Sequence, residues 1–597
     1  MPPRAKKPAS TTKAPATRAK PASKAKPASK AKPASKGKRA HASDSDDDNG
    51  APASKKKKAK QDDADDDVVD DDDDVVDTNM VTVVRRGAAP PVDPHSGYVG
   101  THQVYEGNGE VWDTTLNQTD IGNNNNKFYV LQLLHRGDGN NIELFTRWGR
   151  VGENGSKQTK GPWGPAEAIN QFKKQFKAKT GTNWEDRHGM TAKKGKYTFI
   201  ERDFNDDEEK EAEAEDGPKA SGSKQQSAIP DSKLDKEVQK LCKVIFSSSY
   251  MTAVLSEMKY DANKLPLGKL SKSTLLKGFE ALKRLAEVIE EEDKSKFHNQ
   301  GGFDEVCAAI CNQYYSLIPH AFGRNRPVII KDKVTLKREL EILDNLGEME
   351  VAHSIISQKG ETDIDGNALN PLDSNFLSLG LNAMDPVAQN SDEWTALQEY
   401  LSDSHGDTHY FSTTLENAFR VEREAEGKAF TDASYDKVSD GERLLLWHGS
   451  RSTNFAGILK QGLRIAPPEA PVTGYMFGKG VYLADMSSKS AGYCHPGMSD
   501  GYGILLLCES VVKPSHELFG SDYYADEGCK KAGAMATKGI GRTQPTTWQD
   551  AGKALNNPAL TGVHMPKGKA SHVNPPGAYL QYNEYIVYST TQIRLRE

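Results

Sequence analysis

The stretch "FGKGVYLADMSSKSAGYC", Phe477 to Cys494, gathers glycine, lysine, two tyrosines and three serines. A phosphate-cradling loop needs GxxxxGK followed by Ser or Thr at the start of a helix. Here Gly478-Lys479-Gly480 runs into Val481, Tyr482 and Leu483, a strand-like run, and no GxGxxG is present. The spacing therefore predicts a turn, a short strand carrying Tyr482, and a helix over "SSKSAGYC" with Ser490 and Tyr493 on one face. A hydroxyl beside an aromatic face suits a flat ligand that carries an amide: the ring stacks and the hydroxyl pairs with the amide. Taken alone, the same residues also describe an ordinary buried Tyr with a capping Ser. "YNEYIVY" alone reads as a strand with one solvated Glu, and Cys307 and Cys311, four apart, read as buried thiols on a helix face.

The elements that must hold these residues are legible from periodicity. "LLLWH", "GYGILLLCESVV" and "EYIVYS" are strands rich in Leu, Ile, Val and Tyr, and a helix near 452–461 follows the first. With no regular βαβ alternation, residues 375–597 read as α+β. Upstream, Leu234, Val238, Leu241 and Ile245 repeat at helical spacing. Leu275, Phe279, Leu282, Ala286 and Ile289 do the same, and a further helix covers 333–357. Residues 229–362 thus form an all-helical unit. Between 98 and 204, "KFYVLQLLH" and "IELFTRWGRVG" are strands. Ile142, Leu144, Thr146 and Trp148 share one face of the second, Phe145 and Arg147 the other. A helix begins at Pro165, buries Ile169, Phe172 and Phe176, ends at Gly181, and is basic through Lys173, Lys174, Lys177 and Lys179.

A chain of 597 residues suggests roughly four domains. Its net charge of −6 conceals opposite blocks: residues 1–40 hold thirteen Lys or Arg and no acid, and residues 61–77 hold eleven Asp and no base. The "KPAS" repeats and these charge runs place residues 1–97 as a disordered tail, basic then acidic, and residues 205–228 as a linker. The basic half has the character of arms that bind nucleic acid through phosphates, and Lys55–Lys58 that of a nuclear localisation signal. No apolar run reaches the roughly 20 residues that span a bilayer, and no signal-peptide core opens the chain, so the expectation is a soluble intracellular protein with no membrane partner.

"LLLWHGSRSTNFAGILKQGLRIAPPEAPVTGYMFGKGVYLADMSSKSAGYC" together with "YLQYNEYIVYS" resembles the catalytic domain of the poly(ADP-ribose) polymerases. "KLPLGKLS" and "LDNLGEMEVAHSI" resemble that family's helical regulatory domain, and "FTRWGRVG" with "NWEDR" resembles its WGR domain. The resemblance implies a disordered tail, an α+β WGR domain, an all-α regulatory domain and an α+β ADP-ribosyltransferase domain of the diphtheria-toxin-like fold, without zinc fingers. It implies NAD as consumed substrate and no metal. The family's His-Tyr-Glu triad falls on His448, Tyr482 and Glu584. His448, Ser450, Asn454 and Arg464 lie toward adenosine; Gly449 and Ser490 hold the nicotinamide carboxamide; Tyr475 and Tyr493 sandwich its ring; Lys489 lies in the pocket. Met476 and Tyr582 match the acceptor side of polymer-forming members.

By the same resemblance Asn126, Lys127, Trp148, Arg150 and Tyr197 approach a DNA break, and Leu343 and Asp344 belong to a helix that restrains the NAD site. The implied partners are DNA strand breaks, with histones, chromatin proteins and the chain itself as acceptors, in the nucleus. A mono-ADP-ribosyltransferase and a catalytically silent DNA-end scaffold are the rival functions; a dehydrogenase lacks its fingerprint. The chain departs from the family at "TTQIRLRE", shorter than the family's last strand, which in some animal relatives helps recruit a factor that redirects modification to serine.

Overall fold

The computed structural model describes residues 90–137, 139–202, 230–258, 260, 270–357 and 369–597. The predicted tail up to residue 89, the Lys55–Lys58 cluster, the 205–228 linker and most of "KLPLGKLS" lie outside the described residues.

Five strands, Asp113–Asp120 (β1), Asn125–His135 (β2), Ile142–Arg150 (β3), Ser156–Trp163 (β4) and Thr198–Ile200 (β5), form an antiparallel sheet in the order β4-β3-β2-β1-β5, with Gln103–Val104 also paired to β2. The predicted alternation along β3 holds: Ile142 and Leu144 pack under the helix Pro165–Thr180 (α1), while Phe145 joins Val104 and Leu134 on the opposite face. Pro165 sits in the first turn of α1, and Gly181 closes the helix at φ 72°, its N–H donating to Lys177 O at 2.7 Å. That left-handed geometry favours glycine.

The folded unit reaches back before residue 98. Asp93 is buried and pairs with the guanidinium of Arg147 on β3 at 2.8 Å, and its backbone N–H donates to Gln132 Oε1. A charge turned inward on a strand needs a compensating partner, and here the residues preceding 98 supply it.

The helices Lys236–Ile245 (α2), Ser248–Glu257 (α3), Lys272–Glu290 (α4), Phe303–Leu317 (α5) and Lys333–Ser357 (α6) follow. Ser271 caps α4, its hydroxyl accepting from Thr274 N at 3.1 Å. Cys307 and Cys311 are buried in the core between α4, α5 and the first part of α6. The helical region is not self-contained. Leu336, Leu340 and Leu343 pack with α4 and α5, whereas Val351, Ala352 and Ile355, near the end of the same α6, pack with α2 against Leu444, Phe455 and Leu459. Twenty-five residues of helix run about 37 Å, long enough to serve two cores.

The C-terminal region pairs two sheets. Arg443–Ser450 (β6) is central to the first; Phe455–Gln461 (α7) follows it. Val481–Leu483 (β7) begins the second, followed by the short helix Ser487–Ala491 (α8). Further strands are Ile504–Val511 (β8), Ser515–Leu518 (β9), Ala536–Gly539 (β10), Gly541–Gln544 (β11), Trp548–Asp550 (β12), Val563–Pro566 (β13), Leu580–Tyr582 (β14), Glu584–Val587 (β15) and Ile593–Leu595 (β16). The sheet orders are β12-β13-β6-β8-β16 and β7-β15-β10-β9, and β11 pairs with β14. The short end of the chain does form a strand: β16 pairs antiparallel with β8, placing Ile593 opposite Ser510 and Leu595 opposite Cys508.

Candidate active site

Three strand ends meet at the cleft. Trp447 of β6 exchanges backbone hydrogen bonds with Ala484, just past β7, at 2.8 and 2.9 Å. Tyr482 of β7 lies opposite Ile586 of β15, the strand that Glu584 opens. His448, Tyr482 and Glu584, 136 residues apart in sequence from first to last, are thereby set on three successive strands.

His448 Nδ1 is 3.0 Å from Tyr482 O. A carbonyl only accepts, so Nδ1 carries the proton and Nε2 is left as an acceptor. Burial pushes the imidazole below its usual pKa, and the bond to Tyr482 O only partly offsets this. The ring is therefore neutral near pH 7 and suited to accept from a sugar hydroxyl. The Tyr482 hydroxyl is committed locally: it accepts from Phe477 N at 2.9 Å and donates to Gly478 O at 2.8 Å. Burial holds that phenol well above the usual tyrosine range. It shapes the turn at Gly478, whose φ of 76° requires glycine.

Glu584 is held by Lys489. The ammonium lies 2.8 Å from Oε1 and also donates to Tyr582 O and Asn583 O, both at 3.2 Å. Burial lowers the Lys489 pKa and the Glu584 carboxylate counters it. Glu584 Oε2 is buried with no hydrogen-bond partner. A buried carboxylate oxygen without a donor is costly, and a substrate hydroxyl would satisfy it.

Ser490, buried on α8, donates from Oγ to Trp447 O at 3.0 Å and keeps lone pairs for an amide N–H. A Cβ at Gly449 would stand 2.0 Å from Ser490 O, so only glycine lets β6 and α8 approach this closely. The helix predicted over "SSKSAGYC" stops at Ala491. Tyr493 lies in the following turn, its N–H donating to Ser490 O at 3.0 Å, and its side chain is half exposed.

The other predicted pocket residues meet α6. Asn454 Nδ2 donates to Asn345 Oδ1 at 2.8 Å and to Ser450 Oγ at 2.9 Å. Arg464 lies 2.7 Å from Glu348 Oε1. The Tyr475 hydroxyl points to Asp344 Oδ2 at 3.4 Å. Asp344 is exposed to solvent, yet the protein around it raises its pKa to about 7, with Glu348 and Glu341 adding repulsion against the Tyr475 hydrogen bond. Leu343 points the other way, into the helical core beside Gly278. Periodicity marked α6 as amphipathic; it gave no sign of Asn345 and Glu348 as cleft residues, because their partners lie more than 100 residues away.

The residues expected at a DNA end divide into two groups. Trp148 stacks on Tyr129 at 5.8 Å and 15°, Tyr197 meets the same ring edge-on at 5.8 Å, and Lys179 lies over it at 4.8 Å. Lys127 sits opposite Arg150 across β2 and β3. Asn126 and Arg150 are instead spent on the helical region. Asn126 is fully buried and donates to His320 O at 2.8 Å. Arg150 donates to Gly323 O at 2.5 Å and Asn325 O at 3.1 Å in the loop between α5 and α6, and to Asn124 O at 2.8 Å. In this structure Arg150 and Asn126 bridge the strands and the helical region. A strand Arg and Asn expose no such partner to pattern reading.

Comparison with known proteins gives three domains. The family models described as WGR domain, poly(ADP-ribose) polymerase regulatory domain and poly(ADP-ribose) polymerase catalytic domain match residues 112–191, 232–376 and 391–596. The chain is similar to poly(ADP-ribose) polymerase 2-A of Oryza sativa subsp. japonica, 39% identical over 528 residues that cover 87% of this chain and 74% of that protein. To poly(ADP-ribose) polymerase 2 of Homo sapiens it is 37% identical over 85% of this chain and 82% of the relative. To poly(ADP-ribose) polymerase 1 of Danio rerio it is 35% identical over 87% of this chain and 47% of that longer protein. With three domain models in register and two relatives this similar over about three quarters or more of their length, the chain belongs to the poly(ADP-ribose) polymerase family and is an NAD+ ADP-ribosyltransferase.

Proposed function

We propose that this chain is a nuclear, DNA-break-activated enzyme that builds poly(ADP-ribose) on itself and on histones and other chromatin proteins. The observation that carries the reading is the Glu584 carboxylate, fixed through Oε1 by Lys489 with Oε2 buried and unpartnered. Cleavage of the nicotinamide–ribose bond leaves an oxocarbenium-like sugar, and a fixed anion stabilises that charge more than it stabilises the ground state. Oε2 accepts the ribose 2′-hydroxyl or orients an acceptor hydroxyl. Neutral His448 receives an adenosine-ribose hydroxyl at Nε2. Gly449 and Ser490 take the carboxamide, and Tyr475 and Tyr493 flank the ring. Carboxylates do comparable work at the glycosyl centres of glycosidases.

DNA enters through the WGR region. Trp148 and Tyr197, both packed on the buried Tyr129 ring, offer an aromatic surface with Lys179 and Lys127, fit for the sugar or base of a broken end. Arg150 and Asn126 connect that region to the helices, and Asn345, Glu348 and Asp344 of α6 contact the predicted adenosine and nicotinamide residues. A break that favours a state in which α6 withdraws would raise activity by its differential affinity for that state. Lys55–Lys58 supports nuclear entry.

The test is incubation of the full chain with labelled NAD, with and without nicked or blunt 5′-phosphorylated duplex, resolved on a denaturing gel. A DNA-dependent smear above the protein is expected. One sharp shifted band would replace polymerisation by single transfer, and absence of label under both conditions would leave a DNA-end scaffold.

A further inference from the structure

Asp485 takes no part in the chemistry described above, yet it is among the most enclosed charged groups of the cleft wall, with a relative exposure of 0%. It lies between β7 and α8, one residue before Met486, which stands at the start of α8 with no side-chain cap. Asp485 Oδ2 accepts from Asn583 Nδ2 at 2.7 Å and from the Tyr585 hydroxyl at 3.2 Å. Oδ1 is buried with no partner.

Asn583 and Tyr585 are the two neighbours of Glu584. On an extended strand they project to the face opposite Glu584. One carboxylate oxygen therefore grips the back of the strand at both positions that flank the glutamate. Asn583 extends the hold: its Oδ1 accepts from Gly541 N at 2.9 Å, and its O accepts from Lys489 at 3.2 Å. A Cβ at Gly541 would stand 2.3 Å from the Tyr582 carbonyl carbon, so β11 is pressed against this same segment. Lys489 holds Glu584 from the front and Asp485 holds its backbone from behind. Leaving a carboxylate oxygen buried without a donor is unfavourable. An apolar residue would fill the space without that cost, but it would leave Asn583 Nδ2 and the Tyr585 hydroxyl unpaired.

We infer that Asp485 is a positioning residue for transfer: by clamping Asn583 and Tyr585 it fixes where the Glu584 carboxylate stands. The inference rests on the proposed role of Glu584. Misplacement of a reacting group by about 1 Å costs on the order of a hundredfold in rate.

The experiment compares Asp485→Ala, Asp485→Asn and Glu584→Gln, and the double variant Asp485→Ala/Glu584→Gln, in the full chain. Nicotinamide release is measured at saturating NAD with nicked duplex, and binding of a nicotinamide-like benzamide is measured separately. Asp485→Ala is expected to lower kcat about a hundredfold with benzamide affinity within about threefold of the parent. Asp485→Asn, which still accepts from both neighbours, should recover kcat to within about fivefold. In the Glu584→Gln background Asp485→Ala should add less than about threefold, because its effect acts through the carboxylate already removed. A parent-like kcat in Asp485→Ala, or full multiplication of the two losses, overturns the inference while leaving Glu584 in place. Parent-like activity in Glu584→Gln overturns both readings. If Asp485→Ala does not fold, Asn583→Ala and Tyr585→Phe cut the same clamp from the strand side; an unchanged kcat in both overturns the inference.

Discussion

The two ends of the cleft are held by opposite means. Around Glu584 every partner comes from the C-terminal region itself: Lys489 in front, Asn583 and Tyr585 beside it, Asp485 behind. Asn454, Arg464 and Tyr475 instead each reach across to α6, to Asn345, Glu348 and Asp344. The first set is buried and wired into two sheets. The second is partly exposed and belongs to a helix shared between two cores. On the proposed function, chemistry would rest on contacts made within the C-terminal region, and access on contacts made by α6.

The largest effect expected breaks the first half of that comparison. Glu584→Gln keeps the shape but removes the fixed anion, and should lower nicotinamide release by a factor on the order of 10²–10³. Affinity for a nicotinamide-like ligand should hold, since Ser490 and Gly449 are untouched. Steady-state release and a separate binding titration check both parts. Activity within tenfold of the parent would move the reaction centre elsewhere.

The second half is broken from the helix side. Asn345→Ala with Glu348→Ala removes a buried amide hydrogen bond and the Arg464 pair. Arg464 is 41% exposed, so water can take over its solvation and the pair is discounted accordingly. Together the two contacts are worth about 1.4 kcal/mol, a factor of ten in the open-to-closed ratio. DNA-independent nicotinamide release should rise about tenfold, and the maximum reached with nicked duplex should stay within twofold. A rise in both would show that α6 limits chemistry rather than access.

This contrast also divides what could be read in advance. Features that rest on neighbours in sequence were legible: the two faces of Ile142–Trp148, the helix from Pro165 to Gly181, and the strands around "LLLWH" and "EYIVYS". The resemblance named His448, Tyr482 and Glu584 and left their contacts blank. Asp93 under Arg147, Asn126 on His320, Arg150 on the 323–325 loop and Asp485 behind Glu584 were not legible. Each is a polar group paired with a partner 54 to 194 residues distant, and hydrophobic periodicity carries no signal for such pairs. Arg150 is the sharpest case, since its type fits a phosphate as well as it fits three carbonyls, and only geometry distinguishes them.

The smallest expected effect sharpens the comparison through pH. Asp344 in the closed arrangement has its pKa raised to about 7 by the protein packed around it, with Glu348 and Glu341 reinforcing and Arg464 and Tyr475 opposing. In an arrangement with α6 withdrawn the carboxyl returns toward the ordinary value near 3.9. Between these values the closed state binds a proton that the open state does not, so closure is favoured at low pH and weakens as pH rises toward about 7. Because Asp344 is exposed to solvent, the full shift is not realised, and DNA-independent release should rise only about threefold from pH 6 to pH 8 after correction for the DNA-saturated rate. Asp344→Asn cannot ionise and should flatten this ratio while leaving the DNA-saturated profile unchanged. The Glu584 end, with its contacts intact in both states, should contribute to numerator and denominator alike and cancel. A ratio that still climbs in Asp344→Asn would place the titrating group outside the α6 contact, and the separation between the two ends of the cleft would then have to be drawn somewhere other than at Tyr475.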